Sequence, residues 1–136
     1  MRVTVDANIL FSALIKKGQT RKVWFNPEIE LCAPEFLLKE FLKYREYLQK
    51  KASGTPKEFQ DISETLFSQV FFIPDSELKP FLPAAAFLSN DAKDWLYLAC
   101  ALKEDTIIWS NDKEFKKQKR IKIKSTKEMI EETGML

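Results

Sequence analysis

Met1-Arg-Val-Thr-Val-Asp6-Ala-Asn8-Ile-Leu10 contains the change of rhythm on which the fold turns. Val3 and Val5 are β-branched residues suited to a strand, whereas Ile9, Leu10, Ala13 and Leu14 recur at helical spacing. The hydrophobic period therefore switches from two to about 3.6 between Asp6 and Asn8. In an open α/β sheet ligands bind at the carboxyl ends of the strands, where connections diverge and helix N-termini point inward. Asp6 stands at such an end. It could serve a site or simply cap the following helix, as could Asn8, and this stretch alone leaves both roles open.

The chain around it has 136 residues, 45% of them hydrophobic and 31% charged, which predicts one domain over 1–136 with room for a core. With 22 basic and 20 acidic residues the net charge is +2, so any attraction to nucleic acid has to be local. Cys32 and Cys100 stand alone in apolar runs without Cys-x-x-Cys spacing, the pattern of buried free thiols in a reducing compartment. No apolar run approaches the roughly 20 residues that span a bilayer, and Asp6 interrupts what would have to be a signal sequence's apolar core, so a cytoplasmic protein is expected. The absence of histidine excludes Ser-His-Asp and Cys-His nucleophile pairs, imidazole acid/base catalysis and His-ligated zinc. Any catalysis rests on carboxylates, lysines, hydroxyls or a bound metal.

Downstream, Thr20 is expected to cap a short helix that Asn26-Pro27 ends, and Ile29 to Ala33 reads as a buried strand. Pro34 then fits the first position of a long helix reaching about Lys51. On that helix Phe36, Leu37, Phe41, Tyr44, Tyr47 and Leu48 fall within an arc of about 140°, and Glu40 lies inside it. A carboxylate on a core-facing stripe needs a compensating cation, a metal, or a place at the core margin. The turn Ala52-Ser-Gly-Thr-Pro56 leads into a second helix, which makes a helical hairpin. Val70 to Ile73 is a strand, and short helices follow to Leu88, so Pro34–Leu88 reads as an α-rich insertion flanking the sheet. Ser89-Asn-Asp91 reads as a helix start with Asp91 the expected N-cap, Trp95 to Leu102 is apolar on all sides, and Asp94, in the first turn, shares the inward face of Leu98 and Ala101 and could also complete the cap.

Thr106 to Ser110 is an uninterrupted apolar strand suited to a central parallel position. It runs into Asn111-Asp112, which repeats the order seen at Asp6: strand, acid, helix. An edge strand, Ile121-Lys-Ile-Lys124, and a helix from Thr126 to Gly134 follow. The alternation predicts a three-layer α/β/α sandwich around a parallel sheet of four or five strands. Asp6, Glu40, Asp94 and Asp112 thus come from separate elements yet share the strand carboxyl edge or an inward helix face. Carboxylates gathered in this way suit Mg²⁺ or Mn²⁺, which prefer oxygen ligands and can activate water beside a phosphate without histidine.

These segments resemble the PIN-domain ribonucleases, among which the VapC-type toxins are numerous. Val-Asp6-Ala-Asn8-Ile-Leu looks like the opening motif, Glu40 matches the acid of the long helix, and Lys-Asp94-Trp-Leu-Tyr-Leu-Ala-Cys-Ala-Leu matches the Asp that opens the buried helix. Ser110-Asn-Asp112-Lys-Glu-Phe115 matches the segment after the fourth strand. The resemblance implies a PIN-like fold and Mg²⁺- or Mn²⁺-dependent endoribonuclease activity that leaves a 5′-phosphate. It implies Asp6, Glu40 and Asp94 as principal ligands, Asp112 as a fourth, and Asn8 and Ser110 as supporting polar residues. RNA is the implied substrate, with an antitoxin protein and a second copy of the chain as candidate partners. Glu114 stands where many relatives carry a second Asp.

Two other classes fit these residues less well. A haloacid-dehalogenase-like phosphatase wants an Asp at position 8, where Asn8 stands; a receiver domain wants paired acids at the first strand's end. Neither accounts for Glu40. A non-catalytic PIN-fold module in an RNA-processing complex is the remaining alternative, against which the retained acids speak. Lys116-Lys-Gln-Lys-Arg-Ile-Lys-Ile-Lys124 packs six basic residues into nine. Lys116, Lys117, Lys119 and Arg120 are candidate RNA contacts, while Lys122 and Lys124 could equally be outward charges that protect an edge strand.

Overall fold

The computed structural model describes residues 1–134. Its five strands are β1 (Arg2–Val5), β2 (Glu30–Pro34), β3 (Val70–Ile73), β4 (Ile107–Trp109) and β5 (Ile123–Lys124). They form one all-parallel sheet in the order β3-β2-β1-β4-β5. Helices α1 (Ala7–Ile15), α2 (Gln19–Trp24), α3 (Phe36–Lys51), α4 (Pro56–Ser68), α5 (Asp75–Leu78), α6 (Leu82–Leu88), α7 (Ala92–Glu104) and α8 (Thr126–Thr133) make the crossovers and the final helix.

Strand alternation separates the two helical layers. Thr4 faces α7, where its hydroxyl meets the Cys100 thiol, and its register partners Cys32 and Ile108 share that face. Val5 and its partner Trp109 point the other way: Trp109 packs at 6.0 Å from Trp24 of α2 and donates its indole N–H to Thr126 of α8. Both tryptophans are fully buried, and with Ile9, Leu14, Leu37, Leu98 and Ile108 they anchor the core. The predicted α/β/α sandwich is therefore present. The α-rich stretch 34–88 supplies the α3/α4 hairpin, and its strand β3 takes the edge beside β2.

Three local expectations are corrected. Pro34 ends β2 and does not open α3; Glu30 N–H donates to Met1 across the β1 side and Glu35 N–H to Ile73 across the β3 side. Alternation then turns the Pro34 nitrogen toward β1, past the last β1–β2 partners, where no ladder bond is lost. Thr20 lies inside α2, whose N-cap is Gly18, and Arg21 in the first turn donates to the carbonyls of Ala13 and Leu14. Lys124 is not an outward charge: its side chain is 11% exposed and ion-paired with Glu132 of α8.

The sheet order reverses between β1 and β4, since β1 is followed in sequence by its neighbour β2 on one side and flanked by the late strand β4 on the other. Connections leave in opposite directions there, which opens a crevice at the strands' carboxyl ends. Asp6 and Asp112 follow the two strands that border it.

Candidate active site

Asp6 is the N-cap of α1: its Oδ1 accepts the Ile9 N–H at 3.0 Å, while Ser110 Oγ donates to its Oδ2 at 2.5 Å. Only 4% of the residue is exposed. Burial is the main reason that its pKa rises from 3.8 to about 6; the two hydrogen bonds lower it, and the charges of Asp112 and Glu40 raise it further. The carboxylate that caps α1 is thus also tied to the end of β4.

Ser110 joins the two strand ends. Its hydroxyl, bonded to Asp6, also accepts the Asp112 N–H at 3.0 Å, and Asp112 Oδ1 in turn accepts the Glu114 N–H at 2.9 Å, capping a short 3-10 turn. Glu40 on α3 accepts the phenol hydroxyl of Tyr97 on α7 at 2.5 Å. Its pKa is raised, chiefly by burial, against the lowering effects of the Tyr97 bond and of Lys93 and Lys43. Asp94 accepts the Ser89 hydroxyl at 2.9 Å, and burial first, then repulsion from Asp91, Asp112 and Glu114, raises its pKa. Asp91 is the cap of α7, accepting the Lys93 N–H at 3.0 Å, so Asp94 is spared that task.

All four acids line one cavity of about 400 Å³, together with Asn8, Asp91 and Lys93. Among the described residues none of the four forms an ion pair. Phe11, Tyr44, Tyr47 and Phe115 form part of the wall, so the tyrosines of the α3 arc open onto the cavity instead of filling the core. A second cavity of about 330 Å³ shares Asp91, Asp94 and Asp112 and adds Phe87, Glu114 and Lys117.

As the side chains stand, no three carboxylates or thiols among the described residues group closely enough to enclose a metal ion. The donor chemistry nevertheless fits Mg²⁺ or Mn²⁺. The anionic ligands that the site offers are all carboxylates, and Mg²⁺ retains several waters and is usually held by one or two carboxylates plus substrate phosphates, without an all-protein cage. Each of Glu40, Asp94 and Asp112 commits one oxygen to a protein donor and turns into the same cavity.

The basic segment is divided. Lys116 pairs with Glu128 at 2.8 Å and Lys117 with Glu114 at 2.7 Å; Lys119 and Arg120 are exposed and line neither acidic cavity. Lys117 alone of the four borders the acids. Sequence reasoning missed Tyr97 as the partner of Glu40, and it took Ser89 as part of a helix start without seeing that it fastens Asp94. Ser89 carried a readable signal, a hydroxyl five residues before an inward acid. Tyr97 lies 57 residues from Glu40 and carried none.

The family model of the PIN domain matches residues 4–133. No curated protein matches the sequence. Among solved structures the chain is similar to VapBC2 from Rickettsia felis, crystallised bound to a DNA fragment from their promoter, with a TM-score of 0.63 at 17% identity over 92% of this chain and 98% of that one. At that identity the likeness speaks for the fold, and the fold agrees with the family model. No helix among the described residues is long and apolar enough to cross a membrane. With a domain model that runs from the middle of β1 to the last turn of α8, this chain belongs to the PIN-domain family.

Proposed function

We propose that the protein is a metal-dependent endoribonuclease of the VapC type, hydrolysing RNA phosphodiesters. The observation that carries this reading is the meeting of Asp6, Glu40, Asp94 and Asp112 in one cavity at the crevice between β1 and β4, with no basic side chain paired to any of them among the described residues. These four residues would hold Mg²⁺ or Mn²⁺, which supplies polarisation of a phosphoryl oxygen and a lowered pKa for attacking water. In the hydrolysis, water adds to phosphorus, the P–O3′ bond breaks, and the products are a 3′-hydroxyl and a 5′-phosphate.

The chain's own groups prepare that step. Burial raises the pKa of Asp6, Glu40 and Asp94 in the metal-free chain, a cost to their charged forms that a bound divalent cation would offset. Ser110, Tyr97 and Ser89 each fix one of them through a hydroxyl. Asn8 lines the cavity as a neutral polar group for substrate oxygens. Lys117, Lys116, Lys119 and Arg120 form the flank along which the phosphate chain leaves the site. The fold shared with VapBC2 supports placing the chain with the toxins of toxin-antitoxin pairs, with an antitoxin protein as its partner, a homodimer as its assembly and the cytoplasm as its location.

Incubating the purified protein with single-stranded RNA in Mn²⁺, in Mg²⁺ and in chelator tests the reading. Cleavage is expected only with metal, with 5′-phosphate ends, and is expected to vanish in Asp6→Asn. Cleavage that survives chelation or the substitution, or none by wild type with either metal, overturns it and leaves the non-catalytic PIN-fold module.

A further inference from the structure

The two acidic cavities are neighbours. One is walled by Tyr44, Tyr47 and Phe11, the other by Phe87, and they meet at Asp91, Asp94 and Asp112. A groove therefore runs from the α3 tyrosines, over the carboxylates, to the α6 phenylalanine. Phe87 is 92% exposed and Tyr47 57% exposed, although both stand at the rim of a polar site. Scattered exposed apolar residues are ordinary on a protein surface. Here the exposed rings border the same acids from opposite ends.

The tyrosine wall is built as a platform. Phe11 of α1 meets Tyr44 edge-on at 5.7 Å, bracing it. Lys43 Nζ lies 5.4 Å from the Tyr44 ring centre and Lys51 Nζ 5.7 Å from that of Tyr47. Each of these two rings thus has an ammonium group beside it, and at the other end Lys117 stands with Phe87. A nucleic-acid strand presents the complement, flat apolar bases alternating with anionic phosphates. A docked apolar helix would instead remove the Lys43 and Lys51 ammonium groups from water without giving them counter-charges.

We propose that Tyr47 and Phe87 are stacking stations for unpaired nucleobases on either side of the acidic centre. Bases turned onto rings at both ends of the groove are unavailable for Watson-Crick pairing, so a duplex cannot occupy both stations. The inference rests on the nuclease reading for what happens between the stations, while base stacking is measurable without cleavage.

The test is fluorescence-anisotropy binding of a labelled oligoribonucleotide of roughly ten nucleotides, within the usual span of such grooves. Ca²⁺ replaces Mg²⁺ to offset the acids, and the same strand is also presented as a duplex. Tyr47→Ala and Phe87→Ala are each expected to weaken single-strand binding about 5- to 150-fold, the range for losing one stacked base. The slope of affinity against salt should stay constant because every phosphate keeps its cationic neighbours. Tyr47→Phe is expected to bind like wild type. Both positions are exposed, so the variants should melt with wild type.

Unchanged affinity in the alanine variants, or a duplex bound as tightly as the single strand, overturns the proposal. So does a change of oligomeric state by light scattering with RNA affinity intact, which would assign the rings to a protein interface. A wild type that binds and stacks RNA but cleaves none with Mn²⁺ would retain the stations and remove the nuclease reading.

Discussion

Asp6 and Asp112 occupy the same place in two copies of one local design, an apolar parallel strand that ends in an acid whose side chain caps the next helical turn. Their surroundings differ. Asp6 follows a strand flanked on both sides and caps a nine-residue helix packed into the core, so it is almost sealed from water. Asp112 follows a strand with only the two-residue β5 beyond it and caps a 3-10 turn, so it is half-buried. The local motif accounts for the geometry of capping in both. Position in the sheet accounts for which acid is forced to carry its charge in a dry setting, and Ser110, bonded to both, makes the pair one unit.

The largest difference between the two should appear in turnover. Asp6→Asn is expected to reduce cleavage by more than the roughly 10- to 100-fold that follows loss of an outer-shell partner, and Asp112→Asn by an amount within that range. Equal losses, measured as initial rates on one RNA, would make the burial difference irrelevant to function.

The same pair should separate by pH. The Asp6 carboxyl titrates near 6 when folded against 3.8 as its ordinary value, so between these limits the folded state keeps a proton that the unfolded state has released. Stability without metal should therefore be highest below about pH 4 as far as this group is concerned. It should fall by about 3 kcal/mol as pH rises through 6. Urea melts in chelator from pH 4 to 8 should show this contribution in wild type and, reduced because the Asp112 charge is gone, in Asp112→Asn. It should be missing in Asp6→Asn.

Asp94 extends the comparison to the open side of the cavity. Asp94→Asn retains a polar group for the Ser89 hydroxyl while removing a charge that Asp91, Asp112 and Glu114 repel, so the metal-free variant should melt higher than wild type. Its further gain from Mg²⁺ or Mn²⁺ should be smaller than that of wild type, for which one site at a hundredfold excess over Kd contributes about 2.7 kcal/mol. A variant that is less stable without metal, yet gains as much with it, would make Asp94 a structural residue.

Ser110→Ala tests the link itself. It removes a hydrogen bond to a charged group, worth about 2 kcal/mol, and one of the two bonds that hold the Asp6 pKa down. The midpoint of the pH dependence should therefore move above 6. The smallest effect is expected farthest along the Asp112 side. Lys116 and Lys117 are already paired with Glu128 and Glu114, so replacing Lys116, Lys117, Lys119 and Arg120 with alanine should lower RNA affinity modestly. It should reduce the salt slope by up to about one for each phosphate that is no longer neutralised. An unchanged slope would leave these residues as an ordinary solvated surface.

How far the sequence was legible follows the range of the forces involved. Asp6, Asp94 and Asp112 could be read because a change of hydrophobic period and the spacing of Leu98 and Ala101 are local signals, and the sheet order then brought them together. Glu40 could be read as an acid on an apolar arc. The same arc misled about Tyr44 and Tyr47, because helical periodicity does not distinguish a core from the wall of an open cavity. Pro34 fitted a helix start equally well, and only the register showed that its missing N–H faces an unpaired flank. The hydroxyl of Tyr97 on Glu40 depends on how α3 and α7 lie together, which no single segment records.

The bond between Ser110 and Asp6 spans 104 residues of sequence. During synthesis β1 emerges early, Glu40 and Asp94 follow, and the strand that presents Ser110 and Asp112 comes only afterwards. At ribosomal rates about one to four seconds separate Asp94 from Asp112. Throughout that interval the growing polypeptide, which is made beside abundant RNA, holds three of the four acids but lacks the strand that closes the crevice. The acidic centre is therefore incomplete until β4 docks against β1.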